Sequence, residues 1–364
     1  MAGPSHLSVV LLLTLPASIV ADARAVAPQQ TGASQAEVQA RLKRVSSDLF
    51  TRTDRSAESI RELKAILAID PRSAEAHMLL GIAYRGQNSP DLMGEAVAEL
   101  RQALAIDPGL APARLYLSYV YLDLGRVDRA RDELQIALEK SPGQPQFLAL
   151  LGDAERRLKN PARAIEVLQK ALAADPSSGQ ARYYLGLAYF DLGKRAEAIK
   201  ELEMVLQSGV QAPEAFVSLG TAYLDAGRVD EGLEILSRGT HIDASRPDTR
   251  IQLARAYRLK GQLAQAEEQL KVAEPRVRTV VATSFAHQPQ VEFDYLFEQG
   301  MLAARRGRPT AAVDALKKAL DIEPDDAATH RELAQLYTRL GNTKLAAQHT
   351  ARAKALSAAP GARK

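Results

Sequence analysis

The stretch Leu185–Leu206, LGLAYFDLGKRAEAIKELEMVL, decides how the rest of the chain is read. Leu185, Ala188 and Tyr189 share one face at helical spacing. Gly193 stands where that helix should stop, since a residue just past a helix end often needs left-handed backbone. Ala198, Leu202 and Val205 then carry the apolar stripe of a second helix. Small residues, Gly186 on the first helix and Ala198 on the second, sit where the two axes must approach, and Leu202 fills the gap beyond. A bulky side chain at either small position would cost ~1–3 kcal/mol. The stretch predicts a helix-turn-helix hairpin.

Outward from it, the hairpin recurs. Tyr121, Gly125, Ala130, Leu134 and Ala137 form one copy of the set, and Tyr257, Gly261, Ala266, Leu270 and Ala273 form another. Stops recur at Ile69-Asp70-Pro71, Ile106-Asp107-Pro108, Lys140-Ser141-Pro142, Ala174-Asp175-Pro176 and Ile322-Glu323-Pro324. Pro108 to Pro142 is 34 residues, Pro142 to Pro176 is 34, and the steps from Gly186 to Gly220 to Ala254 are 34 each. Self-similarity at this period means a stacked array and not the two or three globular domains that length alone suggests.

These residues resemble the tetratricopeptide repeat family. Its 34-residue unit has small residues at positions 8, 20 and 27, Tyr at 11, a large apolar residue at 24 and Pro at 32. Nine units fit, starting near residues 40, 74, 111, 145, 179, 213, 247, 293 and 327. The resemblance implies an all-α protein, a right-handed α-solenoid of about nine stacked helix-turn-helix repeats over residues 40–360, with a tail at 361–364. The family's Trp at position 4 is missing; His77, Arg114, Leu148, Arg182, Phe216, Arg250, Leu296 and His330 stand there. His77 and His330 are read as packing substitutes for that aromatic.

Two departures break the period. The second unit carries three extra residues between Arg85 and Gly94. The step from Ala254 to Gly300 is 46, an insertion of 12 placed at about 281–292, before which Pro275 is expected to stop the helix. It is read as a tolerated loop or as one that covers a binding groove. At the other end, the apolar run Leu7–Ala21 followed by Ala21-Asp22-Ala23 reads as a secretory signal peptide over residues 1–23, with an uncleaved anchor as the alternative. Residues 24–39 read as a linker running into the first helix. An exported, periplasmic or secreted protein with no stable membrane span after cleavage is therefore expected.

Composition narrows the chemistry. Zero Cys removes disulfides, thiolate catalysis and sulfur-ligated metals. A net charge of +3, from 47 Lys and Arg against 44 Asp and Glu, gives no reason to expect a nucleic-acid partner. The His residues show no paired metal-ligand spacing, and Glu197, Glu201 and Glu203 lie at helix-surface spacing. No catalytic residue, metal or cofactor is expected.

In the resembled family, positions on the first helix of each unit line a concave groove. Carried over residue by residue, they name Leu115, Tyr119, Leu122, Arg156, Tyr183, Leu187, Phe190, Val217, Leu224, Arg255 and Arg258 as a partner-binding groove, apolar in the middle with an Arg border. The Lys and Asn pair by which chaperone-binding members grip a carboxylate is absent. The expected occupant is a protein or peptide segment, amphipathic with acidic flanks. The expected role is a non-catalytic scaffold in cell-envelope assembly, secretion or pilus biogenesis. Two other readings stand beside it: a scaffold subunit for polysaccharide synthesis or export, and the repeat subunit of a bipartite transferase.

Overall fold

The computed structural model describes residues 32–51, 56–87, 89–209, 211–283 and 289–358. The expected signal peptide, half of the stretch read as linker and the tail at 361–364 lie outside the described residues. Described residues form eighteen helices: α1 (Gly32–Thr51), α2 (Ser56–Ile69), α3 (Ala74–Gly86), α4 (Pro90–Ile106), α5 (Ala111–Asp123), α6 (Val127–Lys140), α7 (Pro145–Arg157), α8 (Pro161–Ala174), α9 (Gly179–Asp191), α10 (Arg195–Gln207), α11 (Pro213–Asp225), α12 (Val229–Ile242), α13 (Pro247–Leu259), α14 (Leu263–Thr283), α15 (Pro289–Arg305), α16 (Pro309–Ile322), α17 (Ala327–Arg339) and α18 (Thr343–Ala358). They pair as the expected stacked helix-turn-helix hairpins of an all-α repeat fold.

The chain divides into two compact units. One takes residues up to Lys159 together with Ala173–Pro176; the other takes Asn160–Leu172 and everything from Ser177. Within the first, consecutive helices from α1 to α7 pack on one another, and α3 also meets α5. Within the second, the same holds from α9 to α18, and the first helices of neighbouring pairs touch in the series α9, α11, α13, α15.

Four hairpins close on a glycine facing a leucine, at Gly81, Gly186, Gly220 and Gly300. A Cβ placed on Gly186 would lie 2.8 Å from Leu202 Cγ; on Gly220 it would lie 2.4 Å from Leu236 Cγ. Helix axes therefore come together at a distance that only a bare backbone allows, and the leucines they enclose, Leu202 and Leu236, are buried. The turn between the paired helices is just as constrained. Gly193 holds φ at 71°, its N–H donates to the Phe190 carbonyl at 2.9 Å, and the Lys194 N–H donates to the Tyr189 carbonyl at 2.9 Å. Lys159 takes the same left-handed conformation, φ 64°, as the one non-glycine among the described residues to do so.

The missing Trp is replaced by a side-chain brace. Arg114 donates from Nη1 to Glu133 at 2.6 Å and from Nη2 to the Pro108 carbonyl at 3.3 Å. Arg182 pairs with Glu201 at 3.1 Å and touches the Met204 sulfur. Arg250 donates to Gln269 at 3.0 Å and to the Ala244 carbonyl at 3.2 Å. One intervening repeat uses another chemistry: Arg238 lies over the Phe216 ring, 5.6 Å from its centre. In sequence Arg114, Arg182 and Arg250 alternate with Leu148, Phe216 and Leu296 at position 4. Ile136, Met204 and Val272 alternate in step with Lys170, Arg238 and Lys318 at position 26. His77 and His330 are more than fillers, since each donates from Nε2 to the carbonyl six residues earlier, Pro71 at 3.1 Å and Pro324 at 3.0 Å.

Helix α1 begins at Gly32, within the stretch read as a linker running into the first helix. One expectation needs correction. Pro275 does not stop its helix, because α14 runs on through it to Thr283. Proline removes one backbone bond and costs about 3 kcal/mol inside a helix. The carbonyl it frees belongs to Lys271, and both residues lie on the exposed side, where water can serve it. On the opposite side Ala273 and Val277 are buried with Tyr295, and that packing carries the helix past the break. The β-branched run from Val277 to Thr283 is thus helical, and of the expected insertion only residues 284–288 lie outside the described residues.

Gly220→Val should cost about 1–3 kcal/mol, read as a lower urea midpoint, because the new side chain meets Leu236. Lys159→Gly should raise the midpoint by the equivalent of ~1 kcal/mol, since the left-handed penalty disappears.

Candidate partner-binding surface

The residues assigned to a groove do not all reach one. In the first unit Leu115 is 5% exposed and Leu122 4%, so both are interior. Tyr119 is half-buried beneath the Arg85 guanidinium, which stands 5.0 Å from the ring centre and is itself bound to Asp123 at 2.6 Å. Arg156 is half-buried, and it and Arg157 converge on Asp153, whose side chain is wholly buried, at 2.8 and 2.7 Å.

In the second unit Tyr183 and Phe190 are half-buried against Ile199, Leu202, Leu219, Ala222 and Tyr223, so much of their apolar surface serves the stacking of α9, α10 and α11. The Tyr183 hydroxyl meets Ser218 Oγ at 3.2 Å. Leu224, 4% exposed, belongs to an interior cluster with Leu236, Leu253 and Ala256. Leu187 and Val217 differ: both are half-buried on first helices, and neither belongs to those clusters.

The expected Arg border is largely neutralised from within. Arg255 on α13 donates to Asp225 on α11 at 2.5 Å. Arg258, 7% exposed, is gripped at both ends by Glu298 of α15, Nε to Oε1 at 2.5 Å and Nη2 to Oε2 at 3.0 Å. Burial pushes the Glu298 carboxyl upward in pKa, and Arg258 opposes that shift. Leu115, Leu122, Leu224 and Arg258 therefore pack inside the fold and do not face a partner. Leu224 is covered by Leu236 of its own hairpin and by Leu253 and Ala256 of the next first helix, which a single-helix register does not anticipate. Arg258 was misplaced because Glu298 stands 40 residues away, across the insertion.

Further carboxylates escaped the sequence reading. Asp153 and Glu298 are both buried, which local spacing does not announce. On α15, Asp294 is pushed up to about 6, mainly by burial; Gln290 donates to its Oδ1 at 2.9 Å and opposes the shift. Glu201 pairs with Arg182, and Glu203 accepts from the Tyr223 hydroxyl at 2.5 Å. Among the described residues no group of three or more His, Asp or Glu is placed to hold a metal ion, and no helix is long and apolar enough to cross a membrane.

Family models described as tetratricopeptide repeat match residues 47–111, 93–145, 115–179, 149–213, 183–248, 247–271 and 303–359. No curated protein matches the chain at a significant level. Among solved structures, the APC/C hetero-tetramer Cut9–Hcn1 aligns over 83% of this chain with a TM-score of 0.62 and 16% identity. This chain spans 57% of the length of that one. The human IFIT1 dimer with PPP-AAAA aligns over 88% of this chain and 73% of its own, with a TM-score of 0.58 and 16% identity. A tetratricopeptide repeat protein from Parabacteroides merdae aligns over 73% of this chain and 99% of its own, with a TM-score of 0.51 and 16% identity. At such identities the likeness is one of fold.

Because Arg258 and Glu298 bind each other inside the fold, Glu298→Ala should cost about 3–5 kcal/mol by leaving a buried guanidinium unpaired. Replacing both residues with Leu should restore most of that loss in urea unfolding.

Proposed function

The chain belongs to the tetratricopeptide repeat family, and on that premise we propose that it is a non-catalytic scaffold that holds a polypeptide segment against the first helices of its repeats. The observation that carries this reading is the pair Leu187 and Val217, apolar and half-buried on α9 and α11 and outside the clusters built on Leu202, Leu236 and Val205. Apolar side chains left in this state on adjacent first helices suit the buried side of an amphipathic segment. The half-buried rings of Tyr183 and Phe190 extend the same surface within the second unit. Tyr119 and Arg156 offer a comparable surface in the first unit.

Attraction of an acidic flank is the weaker part of the reading. Arg156 and Arg255 already hold internal carboxylates, so a partner must compete for them. Apolar contact is therefore the main source of affinity in this proposal. Export to the periplasm or beyond is supported by the apolar run Leu7–Ala21, and a place in envelope assembly, secretion or pilus biogenesis is the proposal that builds on that export.

Immobilised chain should capture a polypeptide from extracts of its own cells, and Leu187→Asp combined with Val217→Asp should abolish that capture while circular dichroism shows unchanged helicity. Undiminished capture by the helical double variant would sink the proposal. Recovery of the Met1 form from the cytoplasm would remove the export component and leave the binding component standing.

A further inference from the structure

The last pair of helices holds two imidazoles face to face. His330 of α17 and His349 of α18 bring their Nδ1 atoms within 2.8 Å, with ring centres 5.0 Å apart. A third atom fixes the hydrogens. His330 Nε2 lies 3.0 Å from the Pro324 carbonyl oxygen, which can only accept, so that nitrogen carries hydrogen. Neutral His330 then presents a lone pair at Nδ1, and His349 donates to it from its own Nδ1. One extra proton can be held on His349 Nε2 with both bonds kept. A second would have to sit on His330 Nδ1, setting two N–H groups against each other at hydrogen-bond distance.

Among the described residues no carboxylate bonds to either ring. The turn before α17 brings Glu323, Asp325 and Asp326; Asp325 is paired with Arg352 of α18, and Asp326 accepts from the Thr329 N–H and hydroxyl. On α17, Arg331 is exposed and the Tyr337 ring stacks on His349, 5.5 Å between centres. On α16, Lys317, Lys318 and Asp321 are exposed. In the first unit the same repeat position is built the opposite way: His77 Nδ1 faces Glu99 at 2.5 Å while Nε2 faces the Pro71 carbonyl at 3.1 Å. A doubly protonated ring satisfies both of those acceptors.

The leverage of the pair comes from how little else holds α18. Its buried residues are Ala346 and Ala353, whereas α16 buries Ala312, Val313, Ala315, Leu316 and Ala319. We propose that His330 and His349 form an acid-sensitive latch on α18, closed near neutral pH and released in mildly acidic surroundings. Burial, reinforced by His330, holds His349 below the ordinary value of 6.5. Released α18 therefore takes up protons before docked α18 does. The docking free energy is intact above the unfolded value and is lost as pH falls from there toward the lower folded value.

Hydrogen exchange of the full chain, at about pH 7.5 and about pH 5.5 on either side of the ordinary His value and corrected for intrinsic rates, tests this. Protection of α18 should fall in acid, by about tenfold for each pH unit between the docked and released values, while α11 and α12 stay protected. His349→Glu copies the His77–Glu99 arrangement and should keep α18 protected at the lower pH. His349→Gln should make α18 protection independent of pH, and it serves if the Glu variant folds poorly. Equal α18 protection in the unaltered chain at both pH values would overturn the latch. So would an acid-induced loss in His349→Glu or His349→Gln as large as in the unaltered chain, or a loss shared by α11 and α12.

Discussion

The contact of a bare glycine backbone with a leucine side chain, repeated at Gly81 on Leu100, Gly186 on Leu202, Gly220 on Leu236 and Gly300 on Leu316, sets the separation of the helices in those four hairpins. Once that distance is set, the leucine is sealed from water and the remaining stripe residues must interlock around it. Burial of a leucine contributes on the order of 1.5–3 kcal/mol, and the contact recurs down the chain, so much of the fold's stability is laid down in small equal portions. A helical array with no Cys and no Trp holds together because no single contact has to be large.

Polar groups do the work that aromatic bulk does elsewhere in such folds. At the fourth residue of the repeat, an Arg or His reaches backward to a carbonyl in the preceding turn and sideways to the second helix. The brace fixes hairpin geometry through hydrogen bonds, which are directional, where a Trp would fix it through volume. The same habit explains the groove arginines. Arg85, Arg156, Arg255 and Arg258 each end on a carboxylate of the same chain, so a sequence rich in Arg yields a surface with much less free positive charge than its composition suggests.

The period, the hairpin and the left-handed turn were legible because each depends on residues close together in sequence: Gly186 and Leu202 are one hairpin apart. The passage of α14 through Pro275 was not, since it depends on Tyr295 arriving from the next helix to hold Val277. Nor was the burial of Leu224, to which Leu253 and Ala256 of the next repeat contribute. The candidate surface was legible only in part. Leu187 and Val217 stand half-buried where the register places them, while Arg258 vanished into a pair with Glu298 that no local pattern announces.

The alternation at the brace has a consequence for how the chain tolerates change. Arg114, Arg182 and Arg250 recur at steps of 68, which is two periods of 34. Neighbouring hairpins in this stretch are therefore unlike at their fourth residue, and a side chain that suits one of them finds its partner again only two hairpins along.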